Sequence, residues 1–187
     1  MVCMDSCSKQ GFCMVRGGVS EPDPVLFLDL DRVAWLDWRG GEDGARLEIA
    51  SDEAAVLAEC PGVRVALLTA VDGCAAGRAC DEAGFHPVIV SYAAQDGEGE
   101  VAALQGLDAP ARAAAAFALW CQEQGISRNR VVFAAAHPAA LEAMAMSGVA
   151  LAMEEAGADA CRAAEVALGP RSADALRRAL ACAQALR

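Results

Sequence analysis

The sequence has 187 residues, of which 56% are hydrophobic; this is enough for one domain with a good core and too short for two comfortable ones. With 15 basic and 26 acidic residues the formal net charge is −11, which argues against nucleic acid or an anionic membrane as a partner. No apolar run approaches the roughly 18 residues needed to span a bilayer, and the N-terminus lacks the apolar region of a signal peptide, so we expect a cytoplasmic protein.

Residues 1–24 form a leader without hydrophobic periodicity, which we expect to be poorly ordered or to lie on the surface. The spacings of Cys3, Cys7 and Cys13 match neither the C-x2-C zinc pattern nor a ferredoxin run. The chain has nine cysteines, and an odd number in a cytosolic protein favours free thiols over a disulfide framework.

Two acidic residues follow the first predicted strand. Val25 to Leu28 is a continuous apolar run, typical of a strand buried on both faces, and Asp29 and Asp31 come next. Carboxylates at positions i and i+2 point to the same side, where they repel each other unless a cation or a shared proton compensates them. We therefore predict a functional site here. The alternative is a pair of solvated acids that cap the following turn.

A β-hairpin is predicted over about residues 33–50. Two alternating segments flank a turn rich in Gly and Asp at residues 39–44. The hairpin carries Trp35 and Trp38, two of the three tryptophans in the chain. Large aromatic side chains on a projecting hairpin favour an interface with another chain, and packing over the domain's own core is an equally open alternative.

From residue 25 to residue 187 the predicted strands and helices alternate, which indicates one α/β domain built on a mainly parallel sheet with helices on both faces. Ser51 is a candidate N-cap of a helix over 51–59, and Gly148 is a candidate C-cap of a helix over 138–147. A long loop is expected over 91–108. The further predicted strands cover 63–68, 87–90, 131–133 and 149–153, and the further helices cover 75–83, 110–124 and 172–184.

The segment Phe27-Leu28-Asp29-Leu30-Asp31 resembles the first motif of the haloacid dehalogenase (HAD) superfamily of phosphohydrolases, an apolar strand followed by Asp-x-Asp. The resemblance implies a single Rossmann-like HAD domain. It also implies that Asp29 is the nucleophile that becomes phosphorylated and that Asp31 is a general acid and base. In this family Mg²⁺ sits between the two acids, so Asp29 and Asp31 would be its ligands.

Within the superfamily the chain looks most like the small capless group typified by 3-deoxy-D-manno-octulosonate 8-phosphate (KDO-8-phosphate) phosphatase. The hairpin directly after Asp-x-Asp, the overall length and the order of the later elements carry this resemblance. It implies a small phosphorylated sugar acid as substrate. It also implies a homotetramer in which the hairpin closes the active site of a neighbouring subunit.

Two further residues match HAD motifs. Thr69 ends the second predicted strand, where the family places the Thr or Ser that hydrogen-bonds the phosphoryl oxygens. Arg112 lies within a residue of the position of a family Lys that neutralises the nucleophile and the phosphate. It is either that cation or a solvated residue of an Ala-rich helix. The resemblance thus implies catalytic roles for Asp29, Asp31, Thr69 and Arg112.

The fourth HAD motif is missing. Where the family carries the acids that hold Mg²⁺, the chain has Ala135, Ala136 and His137. Asp29 and Asp31 alone make a poor site for an ion that prefers oxygen ligands in octahedral geometry. His137 is a candidate metal ligand, although a His beside a Pro at a helix start is more often a cap or surface residue.

We therefore expect phosphohydrolase activity to be weak or lost, which leaves a binding or structural role. The alternative is an active Mg²⁺-dependent phosphatase on a small sugar-acid phosphate, favoured by the joint presence of Asp29, Asp31 and Thr69. Arg32, which replaces the family's usual Gly, is expected to help compensate the two acids where the metal otherwise would. A dinucleotide-binding domain is excluded because no Gly-x-Gly-x-x-Gly follows the first strand.

Overall fold

The computed structural model describes residues 23–32, 46–47, 49–93 and 104–186. The strands are β1 Val25–Asp29, β2 Asp31–Arg32, β3 Arg46–Leu47, β4 Arg64–Thr69, β5 Val88–Ser91, β6 Val131–Ala135, β7 Val149–Met153 and β8 Val166–Gly169. The helices are α1 Ser51–Ala58, α2 Gly73–Glu82, α3 Ala109–Gln124, α4 Leu141–Ala145, α5 Gly157–Ala163 and α6 Ala173–Gln184. Within these ranges, no helix has both the length and the apolar character that crossing a bilayer requires.

Six strands form one parallel sheet in the order β5-β4-β1-β6-β7-β8. Strand β1 pairs with β4 on one side and with β6 on the other, and helices cover both faces of the sheet, so all five of its residues are buried. This explains why its sequence is a continuous apolar run rather than an alternating one. The arrangement confirms the predicted α/β fold with a mainly parallel sheet.

The core is divided between the two faces of the sheet. Val25 and Phe27 of β1 pack on the face covered by α3, α4 and α5, whereas Leu26 and Leu28 pack on the face covered by α1, α2 and α6. The Phe27 ring lies 5.0 Å from Phe117, 5.0 Å from Trp120 and 5.6 Å from Phe133, measured between ring centroids. Alternation along β1 therefore places Asp29 on the Phe27 face.

Two observed elements were not predicted from the sequence. Strand β8 lies at the edge of the sheet and buries only Leu168, while Val166 is 41% exposed; its apolar run, Val166-Ala167-Leu168, is too short to predict a strand from periodicity. Helix α5 has only seven residues, too few for a clear helical period. Over 138–147 the predicted helix is instead a 3₁₀ turn at Pro138–Ala140 followed by α4.

One strand pair lies at the base of the predicted hairpin. Strand β3 falls inside the predicted range of about 33–50, whereas β2 lies just before it. The two strands are antiparallel, with Asp31 opposite Leu47 and Arg32 opposite Arg46. The predicted tip of the hairpin and its two tryptophans lie outside the described residues. So do residues 1–22 of the predicted leader, with its three cysteines, and residues 94–103 of the predicted loop.

Gly148 has a different role from the predicted helix C-cap. The C-cap of α4 is Met146, and the Gly148 N–H donates to the Val131 carbonyl at 3.0 Å. A Cβ atom at position 148 would lie 2.2 Å from the Asn129 carbonyl oxygen. Glycine is therefore required here because two main-chain segments approach each other where β6 begins.

Gly148→Ala should lower the free energy of unfolding by about 1 to 3 kcal/mol, because the added methyl group can be accommodated only by moving main chain. Urea denaturation followed by circular dichroism measures the change. Gly77→Ala is the matched control: its Cβ would meet nothing closer than Ile89 Cδ1 at 3.7 Å, and it lies inside α2. The control should gain about 0.5 to 1 kcal/mol from helix propensity. Equal stability of the two variants would contradict the requirement for glycine at position 148.

Candidate functional site

Three polar side chains predicted from the sequence meet at the carboxyl edge of the parallel sheet. Asp29 ends β1, Thr69 ends the neighbouring strand β4, and Asp31 lies two residues beyond Asp29. The exposed fraction is 0% for Asp29, 3% for Asp31 and 0% for Thr69. The two acids are not solvated, so the alternative of an exposed turn cap is wrong.

Both carboxylate oxygens of Asp31 are engaged by the end of β4. The Thr69 hydroxyl donates to Oδ1 at 2.6 Å, and the Ala70 N–H donates to Oδ2 at 2.5 Å. The Val71 N–H in turn donates to the Thr69 hydroxyl oxygen at 3.0 Å, which fixes its orientation. Burial raises the pKa of Asp31, and these hydrogen bonds act in the opposite direction by favouring the carboxylate.

Asp29 is less well satisfied than Asp31. Its Oδ1 accepts a hydrogen bond from the Asp31 N–H at 3.2 Å, whereas Oδ2 is buried and has no partner among the described residues. Burial raises the pKa of Asp29 well above its usual value, and the negative charge of Asp31 raises it further. Asp29 Oδ2 is thus a buried polar atom that a bound group would satisfy.

A buried guanidinium lies next to this acidic pair. Arg171 donates through Nε and Nη2 to both carboxylate oxygens of Glu53, at 2.8 and 2.6 Å, and through Nη1 to the Leu30 carbonyl at 2.5 Å. The side chains of Arg171 and Glu53 are only 2% and 4% exposed. The positive charge of Arg171 acts to lower the pKa of both Asp29 and Asp31.

Glu53 also shapes the start of α1. Its Oε2 accepts from the Ala50 N–H at 3.1 Å, and Ala50, rather than the predicted Ser51, is the N-cap of α1. The Glu53 carboxylate therefore binds the N–H of the N-cap residue, as the N3 acid of a capping box does, and the N-cap bond expected from a Ser side chain is not made because Ala50 has no side-chain acceptor.

The end of β6 lies beside Asp29 and carries no acid. Ala135 pairs with Asp29 in the sheet, and the Ala136 N–H donates to the Asp29 main-chain carbonyl at 3.0 Å. His137 accepts from the Ala139 N–H at Nδ1, at 3.1 Å, and so caps the 3₁₀ turn as the cap interpretation expects. Burial lowers the pKa of His137, which favours the neutral imidazole.

The described residues do not fit Mg²⁺. This ion prefers several oxygen ligands, but the one open carboxylate oxygen of the acidic pair is Asp29 Oδ2, because Asp31 is bound by Thr69 and Ala70. Within residues 23–32, 46–47, 49–93 and 104–186, no group of three or more His, Cys, Asp or Glu side chains is placed to hold a metal ion. The roles of Asp29 and Asp31 as metal ligands remain predictions.

Arg112 lies in the first turns of α3, as predicted, and is not simply solvated. Its Nη2 donates to the Leu107 carbonyl at 3.0 Å, and its Nε is buried without a partner among the described residues. Its proposed catalytic role remains a prediction, and so does the compensating role of Arg32, whose side chain lies outside the described part. Of the described guanidinium groups, Arg171 is the one that acts on both acids.

Tyr92 is a site residue that was not predicted from the sequence. This residue follows β5, is 3% exposed, and donates its N–H to the Thr69 carbonyl at 2.8 Å. Its hydroxyl has no partner among the described residues. Burial and the charges of Asp29 and Asp31 raise its pKa, so it is a neutral donor at physiological pH. The available signal was the single tyrosine of the chain standing directly after an apolar strand.

Solved structures with a similar architecture include a hydrolase and two phosphatases. A haloacid dehalogenase-like hydrolase from Bacteroides thetaiotaomicron is 12% identical, with a TM-score of 0.58 over 86% of this chain and 99% of that one. The 3-deoxy-D-manno-octulosonate 8-phosphate phosphatase of Moraxella catarrhalis, complexed with magnesium, phosphate and KDO, is also 12% identical, with a TM-score of 0.58 over 88% and 87%. The cobalt-bound deoxy-D-mannose-octulosonate 8-phosphate phosphatase of Haemophilus influenzae is 15% identical, with a TM-score of 0.54 over 88% and 90%.

These similarities concern the fold. They confirm that the chain has the HAD fold, which the Asp-x-Asp motif implied, and KDO-8-phosphate phosphatases are among its structural neighbours, as the length and the order of the predicted elements implied. No protein-family model matches the sequence, and comparison with curated proteins gives no significant match. The comparisons therefore show neither a substrate nor an activity for this chain.

Asp29→Asn should raise the free energy of unfolding at pH 7, in metal-free buffer, by about 1 to 3 kcal/mol, because it removes a buried and incompletely paired charge. Since the folded-state pKa of Asp29 is raised, its contribution to stability is present below the usual carboxyl pKa and is lost as pH rises through the folded-state value. The variant should therefore lose less stability than the wild type as pH increases from about 4 to about 7.

Urea titrations of both proteins at several pH values measure this difference. Asp159→Asn is the matched control, because Asp159 is exposed and pairs on the surface with Arg162. The control should keep the wild-type pH dependence. An Asp29→Asn protein that is less stable than the wild type at pH 7, with an unchanged pH profile, would contradict the expectation.

Proposed function

We propose that this chain, which has the HAD fold, binds a small molecule at the carboxyl edge of its sheet and has weak or no phosphohydrolase activity. The observation that carries the proposal is the end of β6. Ala135, Ala136 and His137 stand beside Asp29 where a metal-dependent site needs carboxylates, and His137 is engaged as a cap.

The chemistry of phosphoryl transfer explains why this matters. An ionised Asp29 and a phosphate monoester are both anions, and their approach is costly unless a cation neutralises the developing charge. Arg171 donates to both oxygens of Glu53 and to the Leu30 carbonyl, so these donors are already occupied and cannot bind a phosphoryl group. Loss of the dominant electrostatic contribution should cost several orders of magnitude in rate.

A binding role is supported by two buried polar atoms on the Phe27 face of the sheet. Asp29 Oδ2 and the Tyr92 hydroxyl are both without partners among the described residues, and Tyr92 is packed into the core on the same face as Phe27. Buried polar groups are normally hydrogen-bonded, so a bound molecule that satisfies both atoms would be favoured. A small phosphorylated metabolite is the class of ligand we propose to test first, with one of its hydroxyl groups, rather than its phosphoryl group, donating to Asp29 Oδ2, because two anions would repel each other there.

The second candidate is an active metal-dependent phosphatase acting on a small sugar-acid phosphate. It is favoured by the position of Asp29, Asp31 and Thr69 at one edge of the sheet, with Arg112 at the start of α3 as the candidate cation. Two structural neighbours hold a divalent metal, cobalt in one and magnesium in the other. This candidate requires turnover that depends on added metal.

Phosphate release from a panel of small sugar phosphates separates the two candidates. Purified protein is assayed with Mg²⁺, Mn²⁺, Co²⁺ or Zn²⁺, beside an Asp29→Asn protein as control. We expect no turnover above the control, because the acids that would hold the metal are absent. Turnover that requires a metal and disappears in the control would support the phosphatase and overturn the proposal.

The binding role is tested through Tyr92. Because the chain has one tyrosine, ring carbon labelling of Tyr gives one set of NMR signals, and titration with 6-phosphogluconate should shift them. Tyr92→Phe should weaken binding of this probe about 3- to 10-fold, the size of one lost hydrogen bond, without lowering stability. Gluconate is the matched unphosphorylated probe. Equal affinity for gluconate and 6-phosphogluconate would show that the phosphoryl group does not contribute to binding. Unchanged signals with both probes would count against ligand binding at this site.

A further inference from the structure

Arg171 joins three elements that are far apart in the sequence. It lies between β8 and α6, its side chain pairs with Glu53 of α1, and it donates to the carbonyl of Leu30, the residue between the two acids. Its main-chain N–H also donates to both carboxylate oxygens of Glu155, at 3.0 Å each. Hydrogen bonds of both the main chain and the side chain of Arg171 therefore hold its guanidinium in one position.

We propose that Arg171 is a permanent counter-ion of Asp29 and Asp31 and that it holds this acidic pair in place without a divalent cation. Glu53 is the residue that positions Arg171 for this task. The inference goes beyond the proposed function, because it concerns charge compensation and holds whether or not a ligand binds.

The geometry suits arginine and no other residue. A planar guanidinium offers its donors in a fixed fork, so Nε and Nη2 can bind both oxygens of Glu53 while Nη1 reaches the Leu30 carbonyl. A lysine could supply the charge but not this set of directions. Because Leu30 is bonded to both acids in the chain, the contact attaches the cation to the main chain of the acidic motif itself.

The excess of buried acids shows why a cation is needed here. Among the described residues, Asp29, Asp31 and Glu53 are three buried acids, and the buried guanidinium of Arg171 binds Glu53 and the main chain between the two aspartates, so it compensates part of their charge. A buried ion pair is by itself weak grounds for a gain in stability, because desolvation offsets much of the attraction. The effect of Arg171 on the charges of Asp29 and Asp31 is separate from its pairing with Glu53. It can be measured as the coupling between substitutions of Asp29 and Arg171.

The test is a double-mutant cycle between Asp29 and Arg171, measured by urea denaturation in metal-free buffer at pH 7. Glu53→Gln is included in every protein, so that no unpaired Glu53 charge remains when the arginine is replaced. If Arg171 compensates Asp29, Asp29→Asn should increase the folding equilibrium constant at least about tenfold more in the Arg171→Met protein than in the protein that keeps Arg171. Additive effects of the two substitutions would overturn the proposal.

Two further variants distinguish charge from packing. Arg171→Lys keeps the charge and loses the fork, so it should retain a large part of the coupling to Asp29; loss of all coupling in this variant would indicate a packing role and overturn the proposal. Arg178→Met is the matched control, because Arg178 lies in α6 and binds the Leu168 carbonyl rather than the acidic motif. It should show no coupling to Asp29, and coupling as large as that of Arg171 would overturn the proposal.

A metal titration gives an independent readout, and it also serves if Arg171→Met is too unstable for urea denaturation. The melting temperature of the wild type should not change with MgCl₂ or EDTA. Mg²⁺ should stabilise Glu53→Gln/Arg171→Met, and Glu53→Gln/Arg171→Lys less strongly, because loss of the guanidinium removes a positive charge and releases the Leu30 carbonyl as an oxygen ligand in addition to Asp29 Oδ2. Adding Asp29→Asn should abolish this response. Equal stabilisation of the wild type and the variants by Mg²⁺ would overturn the proposal, because Arg171 would then not take the place of the metal ion.

Discussion

Two carboxylates are buried side by side at the end of the central strand, and much of the surrounding structure can be understood as the way their charge is accommodated. Desolvation and mutual repulsion make ionised Asp29 and Asp31 costly, so each needs hydrogen bonds or a cation. The neighbouring strand β4 supplies Thr69 and the Ala70 N–H to Asp31. The opposite neighbour, β6, supplies only main chain, and the cation comes from Arg171 beyond β8.

The elements that can be predicted from the sequence are those whose signals are local. The apolar runs of β1, β4, β6 and β7 mark strands buried by their neighbours, and the Asp-x-Asp spacing places two acids at one sheet edge. Thr69 could be predicted because it ends such a run. Edge strand β8 escaped prediction because it buries only Leu168, and α5 because it is short.

The residues that compensate the acids could not be found in this way. Glu53 and Arg171 are separated by 118 residues, and each looks ordinary in its own segment. Glu53 reads as an acid in the first turn of a helix, and Arg171 as a charged residue before the closing helix. An arginine was expected near the acids, but the candidate was the sequence neighbour Arg32. Arg171 reaches this sheet edge only in the folded chain. Site residues that come from distant segments in this way cannot be predicted from local sequence patterns.

The contact between Arg171 and Leu30 has a consequence for how the molecule is assembled. Because 141 residues separate the two partners, the contact closes nearly the whole length of the folded chain. A ribosome that has made β1, β4 and β6 has already produced both aspartates but not the arginine, so the nascent sheet carries an uncompensated pair at its centre. Contacts of such high sequence separation form late and slowly. Arg171, between the last strand and the last helix, thus adds the cation next to the first strand. We therefore expect the carboxyl edge of the sheet to reach its final structure only after the C-terminal segment has been synthesised.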